Sequence, residues 1–363
     1  MNNEKIVVER DAFAQCAEYV KSKNWTNVLL IADEHTKKAA GDELAEHLTG
    51  AGIKVNLCMI DPDKNGDVKA DEVSLVQALL AIDQGVDSLL AVGAGTIHDI
   101  TRFCSDKTGI PFVSIPTAPS VDGFTSVGAP LVVRGTKTTF KAVSPAALFA
   151  DIEVLTNAPP QMIAAGFGDM TAKFTSLADW RFSHLTAGEP YSEEAAAITE
   201  RALWQCVDHV EQIAAKEEEG IRILMNALIE SGKAMLLFGQ SHPASGAEHH
   251  LSHFWEMDFI KKGRPQILHG AKVAAATVLI AAVYKQYWPE IEKAGVTTVK
   301  IPDADFIAGL LERVGAPVSP AELHIDEDLV AASLHHAHKL RDRHTMLRFL
   351  NEQHIEIKKE ALR

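Results

Sequence analysis

Histidines concentrate in residues 239–273, GQSHPASGAEHHLSHFWEMDFIKKGRPQILHGAKV, which contribute His242, His249, His250, His253 and His269 to the 16 in the chain. His249 and His253 stand at i and i+4, so on a helix their rings share a face. His269 follows after a loop, on a second element. Imidazoles on one helix face, joined by another from a neighbouring element, are a common way to hold a catalytic metal. Taken alone, the run also fits a row of solvated surface histidines.

A second stretch with chemical potential is Gly93-Ala94-Gly95-Thr96, between the apolar SLLAV and a helix. Glycines let a backbone approach a pyrophosphate, and a helix N-terminus offers N–H groups and a positive dipole end. It is not the full dinucleotide fingerprint, because the third glycine would fall at His98 and the turn follows an interior strand. By itself it is equally a plain tight turn. Asp33 ends the strand VLLIA, where a carboxylate binds ribose hydroxyls and repels a 2′-phosphate, favouring NAD over NADP. An aspartate there serves equally well as a helix cap. Residues 116–126, PTAPSVDGFTS, follow the strand FVSI and place hydroxyls and one acid at the carboxyl edge of a sheet. The plainer use of that stretch is a proline-stiffened loop.

These groups need elements to position them. The first 150 residues alternate short apolar strands with amphipathic helices. Strands are expected at 28–32, 55–60, 88–92, 112–115 and 147–150, with helices at 34–50, 72–84 and from Gly95 onward. Fully apolar strands alternating with helices mean a parallel sheet covered on both faces. Residues 131–133 and 138–140 read as an antiparallel hairpin around Arg134-Gly135-Thr136-Lys137. After Asn157-Ala158-Pro159-Pro160 strand signals nearly vanish. Helices are expected at 168–183, 193–215, 220–239, 244–257, 270–287, 304–314 and 326–341. The chain therefore divides into an α/β domain, 1–157, and an all-helical domain, 158–363.

Bulk properties narrow the function. The chain has 363 residues, 47% hydrophobic and 23% charged, which is a globular composition. A net charge of −14 without a basic tract argues against nucleic acid or anionic membrane as partner. The start, MNNEKIVVERDAF, lacks the features of a secretory leader. The richest apolar run, AAATVLIAAVY, is too short to span a bilayer. Cys16, Cys58, Cys104 and Cys206 form no CxxC, as expected of free thiols in a reducing cytoplasm.

Six motifs in order carry a family resemblance: GAGTIHD (93–99), PTAPSVDGFTS (116–126), GFGDMTAK (166–173), PASGAEHHLSH (243–253), LHGAKV (268–273) and RDRHTML (341–347). Together they resemble the sn-glycerol-1-phosphate dehydrogenases, within the superfamily of dehydroquinate synthase, glycerol dehydrogenase and iron-dependent alcohol dehydrogenases. The bacterial branch found in arabinose operons is the closest in pattern, and the resemblance spans roughly residues 25–350. It implies a dehydroquinate synthase-like fold: an N-terminal α/β nucleotide-binding domain, an all-α C-terminal domain, and a metal site in the interdomain cleft.

By that resemblance, Gly95, Thr96, Ile97, His98 and Asp99 contact the NAD pyrophosphate. Thr117, Ala118, Pro119, Ser120 and Ser126 contact the nicotinamide side. Asp122 binds substrate, His253 faces it, and Asp169, His249 and His269 hold the metal. A shift of one residue in helix phase would put His250 in the place of His249. Asp169 considered singly is also a helix N-cap after Gly168. Beside two histidines it completes a three-ligand set with an open position, a catalytic pattern for Zn²⁺ or Ni²⁺. Iron-dependent relatives carry a histidine four residues after the aspartate, where this chain has Lys173.

The implied reaction is reversible reduction of dihydroxyacetone phosphate to sn-glycerol 1-phosphate with NAD, NADP being possible. Asp122 or His253 would relay the hydroxyl proton. Lys173, Lys261, Lys262 and Arg264 are candidates for the substrate phosphate, and RDRHTML has no assigned role. The family implies a homodimer or larger assembly. The alternatives are a glycerol or other polyol dehydrogenase, a dehydroquinate synthase-like lyase, and a non-catalytic module that keeps the fold.

Overall fold

A computed structural model of the chain describes residues 5–296 and 298–357. The first four residues of the start, MNNE, lie outside that range. The chain forms two compact units, Met1–Met162 with Lys216–Ile229, and Ile163–Ala215 with Glu230–Arg363.

In the first unit the elements run β1 (Lys5–Glu9), α1 (Ala12–Ser22), β2 (Asn27–Ala32), α2 (Glu34–Thr36), α3 (Asp42–Gly50), β3 (Lys54–Met59), α4 (Glu72–Leu80), β4 (Ser88–Gly93) and α5 (Gly95–Thr108). They continue as β5 (Phe112–Pro116), β6 (Gly128–Val133), β7 (Thr136–Lys141), β8 (Ala147–Asp151) and α6 (Ile152–Thr156). Six strands make one parallel sheet in the order β1-β8-β5-β4-β2-β3. Successive side chains of a strand face opposite sides. Accordingly Leu30 and Leu90 join one apolar layer with Phe13 and Phe149, while Leu29 and Leu89 join another with Ile100 and Phe112. The sequence pattern did not reveal β1 or α1. KIVVE is short and pairs only with β8, so it lacks the continuous apolar signal of a central strand. The hairpin β6–β7 forms, and its turn is tighter than expected. Arg134 and Gly135 alone have positive φ, 52° and 72°, and Thr136 already pairs with Val133.

The order of the sheet fixes where a ligand can sit. From β2 the chain crosses to β3 on one side, then returns to β4 on the other side of β2. The carboxyl ends of β2 and β4 thus flank the switch point of the sheet, the place where open α/β sheets bind ligands. Asp33 follows β2, Ala94 and Gly95 follow β4, and Thr117 follows β5.

The rest of the chain is helical: α7 (Pro160–Thr171), α8 (Lys173–Ala187), α9 (Glu193–Asp208), α10 (Val210–Ala214), α11 (Glu218–Phe238), α12 (Ala247–Lys262) and α13 (His269–Gln286). After these come α14 (Trp288–Glu292), α15 (Ala304–Arg313), α16 (Glu327–His336) and α17 (Met346–Glu352). Two expected helices are broken. The segment 168–183 straddles the junction of α7 and α8, and 193–215 divides at His209. Asp169 therefore lies in the last turn of α7, and the N-cap reading of it is wrong. Helix α12 runs past the expected Met257 to Lys262, closed by Gly263 at φ 65°.

One helix crossing in the second unit depends on glycine. A Cβ at Gly168 would sit 2.7 Å from the Gly270 carbonyl oxygen and 2.8 Å from Ala274 Cβ. A Cβ at Gly270 would overlap the Ala165 carbonyl outright. Only glycines let the backbones of α7 and α13 approach this closely. The side chains next to the two glycines are Asp169 and His269.

Candidate metal and cofactor sites

Helix phase turns His249, not His250, toward Asp169, with His249 Nε2 3.5 Å from Asp169 Oδ1. The His249 and His269 rings lie 5.3 Å apart, centre to centre. One donor atom each from Asp169, His249 and His269 lie within 4.8 Å of one another. Donors bound to one tetrahedral ion at about 2.1 Å would sit roughly 3.4 Å apart. The three side chains thus need to close by only about an ångström around a divalent ion, and their carboxylate–imidazole chemistry suits a borderline metal.

The group around these residues is preorganised. Glu248, fully buried, takes His249 Nδ1 at 2.7 Å and accepts the Gly246 N–H and the Thr175 hydroxyl at 2.6 and 2.7 Å. Its carboxylate therefore fixes the His249 ring with Nε2 facing Asp169, the arrangement in which an outer carboxylate orients a metal-binding imidazole. Burial lowers the affinity of His249 for a proton, but the bonds to Asp169 and Glu248 outweigh it and raise the pKa. Burial raises Asp169, yet Lys173 and the two histidines hold its carboxyl well below the usual range. Lys173 is itself buried, 3.6 Å from Asp169 Oδ1, and donates to the Ala244 carbonyl at 3.1 Å.

His253 stands beside the trio, its ring 5.8 Å from that of His269. Arg341 Nη2 lies 3.1 Å from His253 Nε2. A guanidinium only donates, so that nitrogen is the acceptor and the ring proton sits on Nδ1, 3.7 Å from Glu256 Oε2. Glu256 also meets the buried Lys272 at 3.2 Å. His242 bonds elsewhere, 3.3 Å from Glu189, and burial followed by the charge of Arg343 push it down to about 4.

In the first unit, Asp33 caps α2. Its Oδ1 accepts the Thr36 N–H at 2.8 Å, and Thr36 Oγ1 accepts the Asp33 N–H at 3.0 Å. Ala94, at the N-cap of α5, supplies no capping side chain. The first-turn N–H groups thus have no side-chain cap where a nucleotide phosphate fits by charge. Ile97 and His98 point inward, and His98 binds Ala94 O at 2.9 Å and Ser114 Oγ at 2.7 Å. Burial pushes the His98 ring down to about 3, so it stays neutral. The His98 N–H donates to Ala94 O at 3.3 Å, which leaves the N–H groups before it as the open ones of this turn. Asp99 pairs with Arg102 at 2.9 Å.

The loop after β5 is anchored to the glycine turn, since Thr117 N–H donates to Gly93 O at 3.1 Å. Ala118, Pro119 and Ser120 are buried behind it. Ser126 Oγ donates to Gly123 O at 3.2 Å, and Asp122 is half-buried at the start of the 3-10 turn Gly123–Thr125.

Sequence reasoning passed over Glu248 and gave Arg341 no role. Glu248 is adjacent to His249, and neighbours on a helix point about 100° apart, so no spacing rule pairs them. The signal that existed was an acid in the first turn of a helix whose second residue it is.

The chain matches the iron-containing alcohol dehydrogenase family over residues 7–159. It is 50% identical to the glycerol-1-phosphate dehydrogenase (NAD(P)+) of Geobacillus stearothermophilus, over 96% of this chain and 92% of that protein. It is 49% identical to the protein of the same name from Geobacillus thermodenitrificans (strain NG80-2), with the same coverage. Among solved structures, glycerol dehydrogenase from Schizosaccharomyces pombe superposes with a TM-score of 0.73 at 18% identity, covering 99% of this chain and 86% of that one. At that identity the likeness speaks for the fold, whereas the relatives that match nearly end to end carry the family. The chain belongs to the glycerol-1-phosphate dehydrogenases.

Proposed function

We propose that this protein reduces dihydroxyacetone phosphate reversibly to sn-glycerol 1-phosphate, using NAD(H), with NADP(H) accepted as well. The observation that carries the reading is the meeting of Asp169, His249 and His269 within 4.8 Å in a chain of this family. These three hold one divalent ion, and Zn²⁺ or Ni²⁺ suits them better than ferrous iron. Lys173 stands where iron-dependent relatives carry a further histidine, and its ammonium lies beside Asp169. When bound, the metal supplies Lewis acidity to the substrate C2 oxygen, and the nicotinamide supplies or takes the hydride.

The chain's own residues position and protonate. Glu248 holds His249 in its binding tautomer. Of the residues Gly95, Thr96, Ile97, His98 and Asp99 at the start of α5, the first three offer the first-turn N–H groups that receive the pyrophosphate, and Thr117, Ala118, Pro119, Ser120 and Ser126 meet the nicotinamide side. Asp33, already a cap, retains one carboxylate oxygen for the ribose, which is consistent with a modest preference for NAD. Asp122 and His253 contact the substrate. With Nε2 of His253 engaged by Arg341, Asp122 is the better carrier of the hydroxyl proton.

The test is an assay of dihydroxyacetone phosphate with NADH, the product being resolved as glycerol 1-phosphate or glycerol 3-phosphate. Formation of the 1-phosphate is expected. Turnover of glycerol without turnover of glycerol 1-phosphate would instead make the protein a glycerol dehydrogenase. The same protein is read as a homodimer or larger, which light scattering measures directly.

A further inference from the structure

Two arginines in the second unit lack the anion that their burial calls for. Arg341 is partly and Arg343 almost fully buried, and among the described residues neither guanidinium has a carboxylate within 4.0 Å. Arg341 Nη1 instead meets Ser241 Oγ and Ser245 Oγ, both at 3.3 Å. Arg343 donates to the Ser245 carbonyl and, at 3.2 Å, to Ser241 Oγ. Burial and then the neighbouring Arg341 hold the Arg343 pKa down to about 10. Close by, His250 is completely buried and neither ring nitrogen has a hydrogen-bond partner. Buried charges of one sign are ordinarily paired, and planar guanidiniums beside hydroxyls match the geometry of a phosphate.

We propose that Arg341, with the hydroxyls of Ser241 and Ser245, is the seat of the substrate's phosphate group. The proposal rests on the reading of the substrate as a triose phosphate, and it gives RDRHTML a role. Arg341 already touches His253, whose ring neighbours that of His269, so the seat adjoins the metal-holding residues. Of the lysines and arginine named from sequence, three are otherwise engaged. Lys173 faces Asp169, Lys262 pairs with Asp258 at 2.8 Å, and Arg264 lies over Phe259 and donates to the His324 carbonyl. Lys261 is exposed.

The experiment uses the metal-loaded full chain. Calorimetry with inorganic phosphate is run on the wild type and on Arg341→Gln, alongside inhibition of dihydroxyacetone phosphate turnover by phosphate. Phosphate should compete with that substrate in the wild type, and Arg341→Gln should bind phosphate at least about 10-fold more weakly with its metal content retained. The preference in kcat/KM for dihydroxyacetone phosphate over dihydroxyacetone should fall about 100-fold. If Arg341→Gln does not fold, Ser241→Ala, which keeps both arginines, should still weaken phosphate binding several-fold. Equal phosphate binding by wild type and variant, an unchanged substrate preference, or phosphate that binds without competing would each overturn the seat. A wild type that binds phosphate competitively at Arg341 yet makes no glycerol 1-phosphate would overturn the reaction and leave the seat standing.

Discussion

Glu248 is the only carboxylate within hydrogen-bonding reach of His249 Nδ1 among the described residues, so on the proposed reading it sets how the ring meets a metal. Glu248→Gln should lower metal affinity about 10–100-fold while the chain still folds, as read by competition with a chromogenic chelator. An unchanged affinity would mean that the helix alone fixes the ring. Nearby, Asp179 accepts the Ala247 N–H, the Met346 N–H and the Tyr284 hydroxyl, at 2.8, 2.8 and 2.9 Å. Burial, and then the charge of Glu248, push its pKa up to about 7 against those donors. A carboxyl raised from its ordinary 3.8 stabilises the fold fully below that value and loses the contribution as pH rises through about 7. Asp179→Asn should remove that dependence and gain about 1 kcal/mol relative to the wild type between about pH 6 and pH 8. Parallel melting curves of the two proteins over that range would refute it. The sequence made His249 legible by spacing, whereas its preference over His250 needed the phase of α12. Glu248 and Asp179 were hidden, since both act across contacts that no local period encodes.

The crossing of α7 and α13 places Asp169 against His269, and glycines set its closeness. Gly270→Ala should cost about 1–3 kcal/mol by forcing the helices apart, and should weaken metal binding along with stability. A thermal melt and a metal titration read both, and a variant as stable and as tight as the wild type would show that the crossing can give way. At the other site, Asp33→Ala should cost about 1 kcal/mol through loss of the α2 cap, whatever its effect on the nucleotide. The central strands and most helices could be read from sequence because apolar runs and glycine ends are local signals. The edge strand β1, the break between α7 and α8, and the interruption at His209 are decided by tertiary contacts instead. The N-cap alternative for Asp169 arose from that missed break, since the residue lies in the last turn of α7.

Across the molecule, the six motifs lie far apart in the chain, and each unit gathers its own. In the first, Asp33, the glycine turn and the loop after β5 meet at the carboxyl ends of three adjacent strands. That convergence could not be read from strand counting, because β1 was missed and the order reverses at β2 and β4. In the second, Asp169, His249 and His269 come from three helices. No described helix is long and apolar enough to cross a membrane. The cysteines are all buried and free, their thiols held up by burial where a shift is seen, so none reads as a nucleophile.

The most direct measurement of the central claim is metal content and turnover of the wild type and His269→Ala, before and after chelation. The wild type should carry one Zn²⁺ or Ni²⁺ per chain, lose its reduction of dihydroxyacetone phosphate on chelation, and regain it when the ion returns. His269→Ala should retain neither ion nor turnover while keeping its fold. Wild-type turnover by chelated His269→Ala would contradict the account.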